Sequence, residues 1–348
     1  MNQIITPVLA KLVRRTDVDG DEIEAAFGEI LAGRASDIEA AGFAVALRTK
    51  GETITELAAM VRTMLRFATT IDDADGAIDT CGTGGDRAGT VNVSTIAALI
   101  AAGAGARVVK HGNRAASSQC GSADVLEALG IPIELGPAGV EACVAEVGIG
   151  FCLAQRYHPA LRFMGPARRE LGVPTTFNFL GPLANPARVR RQAVGVADPA
   201  MAERVVAVLE ANGAERAWVF YGDDGLDELT TTTTSTVYEL HDGDVRRFTL
   251  DPAEFGVARA EAVDLAGGDA KTNADAVRAV LDGKPGPVRD VALVNAAAAL
   301  VVADRVDGFA AGMECARDAV DSGAAALVLD DWIRIGRVAA DAQRDEES

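Results

Sequence analysis

From Asp79 to Thr95 the chain reads Asp-Thr-Cys-Gly-Thr-Gly-Gly-Asp-Arg-Ala-Gly-Thr-Val-Asn-Val-Ser-Thr, a glycine cluster running into a hydroxyl- and amide-rich entry to an apolar helix. Glycines at 82, 84 and 85 let main-chain N–H groups approach an anion in conformations that a Cβ forbids. A helix opening near Ser94 would add its unpaired N–H groups and positive dipole end. The combination predicts a phosphate site, of neither familiar kind. Gly85 is followed by Asp86-Arg87 where a Walker loop needs Gly-Lys-Ser/Thr, and Arg87 stands where a dinucleotide fingerprint has its third glycine. Glycine clusters also make plain strand-to-helix turns, so the reading needs support from elsewhere in the chain.

Two further segments carry compatible chemistry. Lys110-His-Gly-Asn-Arg-Ala-Ala-Ser-Ser-Gln-Cys-Gly-Ser-Ala-Asp124 follows an expected strand and leads into a helix over 122–129. It could wrap a polyphosphate, with Lys110 as a point charge and Ser117, Ser118 and Ser122 donating hydroxyls, or it could be an ordinary polar loop. Gly222-Asp-Asp-Gly-Leu-Asp-Glu228 is an acidic turn after an expected strand. Its adjacent carboxylates Asp227 and Glu228 are hard oxygen ligands able to hold Mg²⁺ against phosphates, although on an acidic protein such a pair is also an ordinary solvated surface. Arg162, Arg168 and Arg169 fall in a segment, Tyr157 to Glu170, that reads as a helix behind a His-Pro start; one facing a cleft could pair with a carboxylate. Phe177 to Pro186 reads as a constrained Gly/Pro loop suited to a pocket wall or a structural turn.

The elements that must position these groups follow from pattern. Residues 1 to about 70 read as about four helices: Ser36-Asp-Ile-Glu39 and Thr53-Ile-Thr-Glu56 are capping-box patterns, and Gly33 and Gly51 fall where C-terminal caps belong. The acidic stretch Thr70 to Gly76 reads as a linker or hinge. Beyond it, short β-branched runs at 107–110, 151–154, 193–197 and 218–221 alternate with helical patterns, which predicts an α/β domain with a largely parallel sheet. The threonine run Thr230 to Val237 reads as a strand by its β-branching, followed by a hairpin at Asp242-Gly-Asp244 and three closing helices, one of them Ala-rich over 288–303.

Composition bounds the possibilities. With 348 residues and 49% hydrophobic content the chain is globular and long enough for two domains. No run of 18 or more uncharged apolar residues occurs, and the N-terminus has no signal-peptide pattern, so a cytosolic protein without membrane contact is expected. A formal charge of −18 disfavours nucleic acid and anionic membranes as partners. The five cysteines show no Cys-x-x-Cys spacing and only three histidines accompany them, which argues against disulfides and zinc; Cys81, inside the glycine loop with no nearby histidine, reads as a small buried residue.

Taken in order, Gly82-Thr-Gly-Gly-Asp86, Asn92-Val-Ser-Thr95, Lys110-His-Gly-Asn-Arg114, Gly121-Ser-Ala-Asp124, Phe179-Leu-Gly-Pro182 and Asp224-Gly-Leu-Asp-Glu228 closely resemble the motifs of the anthranilate phosphoribosyltransferase family over nearly the whole chain. The resemblance implies a nucleoside phosphorylase/phosphoribosyltransferase-like α/β fold: a small all-helical domain of residues 1–72, joined by a returning helical segment near 158–188, and a large α/β phosphoribosyl-binding domain of residues 73–348 with a largely parallel sheet. It implies a homodimer with the active site between the domains. It also implies transfer of the phosphoribosyl group of 5-phosphoribosyl 1-diphosphate (PRPP) to anthranilate in tryptophan biosynthesis. By carry-over, PRPP contacts are Gly82, Gly85, Asp86, Thr90, Asn92, Val93, Ser94, Thr95, Lys110, His111, Gly112, Asn113, Arg114, Ala115, Ala116, Ser117, Ser118 and Ser122. Anthranilate contacts are Gly82, Asn113 and Arg168, and the Mg²⁺ ligands are Ser94, Asp227 and Glu228. No residue is assigned as acid or base. Ala115 and Ala116 stand where many family members place a serine, and Cys120 replaces a small polar residue.

Two rivals remain open at this level. A pyrimidine-nucleoside phosphorylase resembles the family in fold and works at ribose C1, but a metal-independent phosphorolysis has no use for Asp227 and Glu228. A non-catalytic relative that binds nucleic acid conflicts with the net charge.

Overall fold

The computed structural model describes residues 2–72, 74–115 and 119–347; Ala116, Ser117 and Ser118 of the expected PRPP loop lie outside the described residues. The chain opens with helices α1 (Ile5–Val13), α2 (Gly20–Leu31), α3 (Asp37–Lys50) and α4 (Ile54–Arg66). Both capping boxes form. The Glu39 N–H donates to Ser36 Oγ (3.3 Å) and the Ser36 N–H to Glu39 Oε2 (2.9 Å), while Thr53 and Glu56 make the same exchange at 3.2 and 2.8 Å. Each box satisfies two of the N–H groups that a helix start leaves without partners.

A seven-stranded sheet follows, with β1 (Ile78–Gly82), β2 (Val108–Gly112), β3 (Ile149–Leu153), β4 (Arg191–Gly195), β5 (Arg216–Gly222), β6 (Ser235–His241) and β7 (Asp244–Leu250) in the order β3-β2-β1-β4-β5-β6-β7. The first five are mutually parallel, and β6 and β7 add an antiparallel margin. The intervening helices are α5 (Val93–Gly103), α6 (Ser122–Leu129), α7 (Pro137–Val147), α8 (Ala154–Tyr157), α9 (Gly165–Leu171), α10 (Phe177–Leu180) and α11 (Pro199–Ala211). The chain closes with α12 (Ala270–Leu281), α13 (Pro287–Val302), α14 (Phe309–Asp321) and α15 (Ala324–Glu347).

Alternate strand residues serve opposite faces of the sheet, as the pleat dictates. Ala193, Trp218 and Phe220 join the core built with α5, α7 and α12 to α15, whereas Val194, Ala217 and Val219 join a core shared by α1 to α4, α11 and the segment from Met164 to Ala184. The N-terminal helices and the returning segment thus share one hydrophobic core, and α11 welds that core to the sheet.

Four sequence expectations are corrected. Thr230–Thr234 form a loop, and the strand starts only at Ser235. The Thr230 and Thr232 hydroxyls donate to Asp224 Oδ2 and the Thr234 and Thr236 hydroxyls to Asp223, so local hydroxyl–carboxylate bonds outcompete a ladder. The single helix expected over 157–170 is broken into α8, a 3-10 turn over Pro159–Met164 and α9, because Pro159 and Pro166 cannot donate to a preceding turn. After the hairpin, four helices form among the described residues instead of three; Gly323, at φ 79°, separates the last two. Finally, the linker is held in place: the Thr69 N–H donates to the Tyr157 carbonyl (2.8 Å) and the Ile71 N–H to that of Pro186 (3.4 Å), tying it to both ends of the returning segment.

Candidate active site

Chain order in the sheet fixes the site's location. From β1 the chain moves outward through β2 to β3, then jumps back to β4 on the other side of β1. The carboxyl ends of β1 and β4 therefore diverge at a topological switch point, the usual crevice for ligands in parallel α/β sheets. The glycine cluster leaves β1 at this point. Gly84, Gly85 and Gly89 have positive φ (68°, 90° and 65°) and are exposed, so the loop presents bare backbone to solvent.

Four of the five parallel strands, β1, β2, β4 and β5, end in glycine at this rim, and at each a Cβ would collide with a neighbouring site element. At Gly82 it would overlap the Asp227 carboxylate, at Gly112 the Ser122 hydroxyl, at Gly195 the Asp227 carbonyl and at Gly222 the Asp224 carboxylate. The rim is packed too closely for side chains.

Against that rim lie the paired carboxylates. The Gly84 N–H donates to Asp227 Oδ2 (2.6 Å) and the Ser94 N–H donates to Glu228 Oε1 (3.1 Å). Sequence reasoning expected free N–H groups at the start of α5. The structure instead gives the Val93, Ser94 and Thr95 amides internal partners, with Glu228 serving as the anion at the helix end. Both carboxylates are buried, at 9% exposure. Burial and the Asp86 charge push Asp227 up to about 7, and burial and the Asp227 charge push Glu228 well above the carboxylate range. Two like charges in a desolvated site call for a cation.

Lys110 supplies part of that charge, but from behind. Its side chain is buried, and the ammonium donates to the Thr80 carbonyl and to Ser94 Oγ (3.1 Å), so it acts on the pocket through Ser94 and does not reach out as a surface point charge. Among the described residues no three or more His, Cys, Asp or Glu side chains form a self-sufficient metal cluster. A hydroxyl and two carboxylates left short of positive charge fit a hard divalent cation that completes its shell with water and substrate phosphate, the usual habit of Mg²⁺.

The loop after β2 is tied to α6. Asp124 Oδ2 accepts from the N–H groups of Ala115 (2.8 Å) and Gly121 (2.9 Å), and the Asn113 carbonyl accepts from Ser122 Oγ (3.3 Å). The Arg114 guanidinium is committed to Asp124 and Glu127 at 3.2 and 2.8 Å, while Asn113 stays exposed. Asn92 is set by Asn273, whose Nδ2 donates to Asn92 Oδ1 (2.8 Å), and Thr90 bridges to Ala266. Val93 and Thr95 face inward.

His111 is also turned inward. Its ring lies 5.1 Å from that of His158, its Nε2 finds no hydrogen-bond partner among the described residues, and burial pushes its pKa down to about 3. The folded chain therefore keeps this imidazole neutral while the unfolded chain takes up a proton near its ordinary value, so stability present above about pH 6.5 is lost as pH falls toward 3. Relative to a His111→Gln variant, the parent is expected to lose about 1.4 kcal/mol per pH unit below that point. Urea unfolding between pH 7 and pH 5 measures the difference; parallel pH profiles would contradict it.

Arg168 lies on α9. It is accessible to water, its guanidinium carbon lies 6.0 Å from the Phe177 ring centroid, and surrounding protein pushes its pKa down by desolvation. Phe177 in turn packs on Phe27, with centroids 5.5 Å apart.

Sequence reasoning missed the floor of the site. Asp79 is fully buried, accepts from the His111 N–H (3.2 Å) and from Asn185 Nδ2 (2.9 Å), and is pushed up to about 6 by burial against the pull of Lys110. Asn185 also donates to the Val109 carbonyl (2.8 Å), joining the returning segment to β1 and β2. A lone Asp inside an apolar strand and an Asn between Ala and Pro were the available signals.

The chain is similar to known proteins in sequence and fold. Residues 74–326 match a model described as the glycosyl transferase family a/b domain, and residues 6–68 match that family's helical bundle domain. An anthranilate phosphoribosyltransferase from Nocardioides is 55% identical, over 94% of this chain and 97% of its own length. The crystal structure of the Thermus thermophilus enzyme of that name superposes with a TM-score of 0.90 at 39% identity, covering 94% of this chain and 99% of its own. The Saccharomyces cerevisiae enzyme in complex with PRPP and Mg superposes with a TM-score of 0.87 at 25% identity, covering 97% and 100%. Such likeness in sequence and fold along nearly the full length places the chain in the anthranilate phosphoribosyltransferase family, to which it belongs.

Proposed function

We propose that the chain transfers the phosphoribosyl group of PRPP to the amino nitrogen of anthranilate, giving N-(5-phosphoribosyl)anthranilate and diphosphate, a step of tryptophan biosynthesis. The observation that carries this reading is the buried Asp227–Glu228 pair set against an exposed glycine loop and the start of α5. Departure of diphosphate from ribose C1 builds positive charge on the sugar and negative charge on the leaving group, so electrostatics and alignment supply most of the acceleration. Mg²⁺ held by Ser94, Asp227 and Glu228 would neutralise the diphosphate oxygens. The exposed amides around Gly85 receive phosphate oxygens, and Lys110 fixes the Ser94 hydroxyl from behind. Anthranilate's amine is nucleophilic without a strong base, which accords with a site containing no exposed histidine.

Arg168 is assigned to the anthranilate carboxylate, with Asn113 and Gly82 beside it. An ion-assisted hydrogen bond of this kind contributes about 1.5–3 kcal/mol, so Arg168→Ala is expected to lower kcat/KM for anthranilate roughly 10- to 100-fold, mainly through KM. The KM for PRPP should stay near the parent's; the opposite pattern would remove Arg168 from this role. The reading places the helical residues 1–72 and the segment near 158–188 on one side of the cleft and the rest of residues 73–348 on the other. A homodimer in the cytoplasm completes it. Val13 and Ile38, exposed on α1 and α3, offer apolar surface for association, which light scattering would test. The decisive assay follows anthranilate fluorescence on adding PRPP and Mg²⁺, with EDTA and PRPP-free controls. Consumption requiring both additions is the expected result, and persistence of anthranilate would refute the acceptor.

A further inference from the structure

The segment from Asp223 to Thr234 carries both carboxylates but belongs to no strand or helix, so its backbone groups need partners from elsewhere. One partner comes from the middle of α13. That helix is buried without interruption from Val291 to Val302, among Ala, Val and Leu, except for one polar residue, Asn295, at 4% exposure. An amide in such surroundings costs free energy unless it is fully bonded.

It is fully bonded. Asn295 Oδ1 accepts from the Leu229 N–H (3.0 Å), and Nδ2 donates to the carbonyls of Leu229 (2.8 Å) and Val291 (2.9 Å). The two bonds to Leu229 hold both its N–H and its C=O, as a neighbouring strand would. Leu229 directly follows Glu228 and is itself completely buried. Helix α13 packs along α5, which carries Ser94, and the Asn295 side chain lines the small cavity beneath Glu228 together with Thr80 and Ser94. One rigid helix thus fixes both halves of the expected metal site.

We propose that Asn295 is a positioning residue for the metal-bearing carboxylates: by clasping Leu229 it sets where Asp227 and Glu228 stand relative to Ser94. This inference rests on the transfer reading above. A side chain behind the ligands, touching neither substrate, should affect metal affinity first.

Asn295→Leu keeps a similar volume but offers neither donor nor acceptor. In the folded variant, calorimetric titration of Mg²⁺ in the presence of PRPP is expected to show binding weakened about 10-fold or more, with half-activating Mg²⁺ raised in step. The KM for anthranilate should remain within about twofold of the parent's. Unchanged Mg²⁺ affinity, or an anthranilate KM that moves as far, would overturn the proposal. Should Asn295→Leu not fold, hydrogen exchange of the parent decides: the Leu229 amide is expected to be strongly protected and the exposed Gly85 amide not, and equal exchange would overturn the clasp. A parent that consumes no anthranilate with PRPP and Mg²⁺ refutes the transfer reading and this role with it. A working parent with an indifferent variant refutes only the role of Asn295.

Discussion

Replacing both acidic ligands by their amides, Asp227→Asn with Glu228→Gln, is expected to cut kcat on the order of a thousandfold while leaving the protein as stable as the parent or more so. The first half follows from the role of the pair: a cation held against a departing diphosphate is worth several kcal/mol in the transition state, and each 1.36 kcal/mol is tenfold in rate. The second half follows from their burial. Two carboxylates lie side by side at 9% exposure with Lys110 as the near cation, so in the ligand-free chain their charges oppose folding. The amides keep the shape and can still accept from the Gly84 and Ser94 N–H groups. Kinetics across a Mg²⁺ series, paired with thermal unfolding, checks both halves. Activity that keeps its Mg²⁺ dependence would remove the pair from the site, and a variant that unfolds early would show that their charge supports the fold.

Gly195→Ala should do comparable harm by a different route. A Cβ there would fall inside the Asp227 carbonyl oxygen and 2.5 Å from the carbonyl carbon, both backbone atoms that no rotamer change can move aside. Either the end of β4 or the Asp227 segment must shift. A displacement near 1 Å at reacting groups costs about 100-fold in rate, and forced overpacking costs about 1–3 kcal/mol of stability. Gly308→Ala is the control: nothing lies within 4 Å of its Cβ position and its φ of 174° suits any residue, so activity should match the parent's, with a stability loss of about 1 kcal/mol at most from the poorer N-cap of α14. Full activity in Gly195→Ala would mean that the rim is looser than its geometry requires.

The parts of the site that were legible in the sequence are those written in adjacent residues. The glycine cluster, the Asp227–Glu228 pair and the two capping boxes each work over a few positions, where residue type and backbone geometry are directly linked. The misread parts depend on residues far apart. Lys110 reads as a point charge in a phosphate-wrapping loop because nothing local shows that its ammonium reaches Thr80 and Ser94 on other elements. The Thr230–Thr234 run has strand propensity, and only the placement of Asp223 and Asp224 diverts its hydroxyls. Of the free amides expected at the start of α5, that of Ser94 is taken by a carboxylate 134 residues away. Asn185 and Asn295, bonded across 106 and 66 residues, were passed over for the same reason.

The four glycine strand ends also bear on how such an enzyme could be re-engineered or could diversify. Where Gly82, Gly112, Gly195 and Gly222 meet the site, no larger residue is admitted, so the phosphate-facing half offers almost no neutral variation to explore. On the proposed assignment of Arg168 to the acceptor, freedom lies around that residue, which is accessible and has Phe177 beside it. A library aimed at new aromatic acceptors belongs there, and the glycine ledge is better left as inherited.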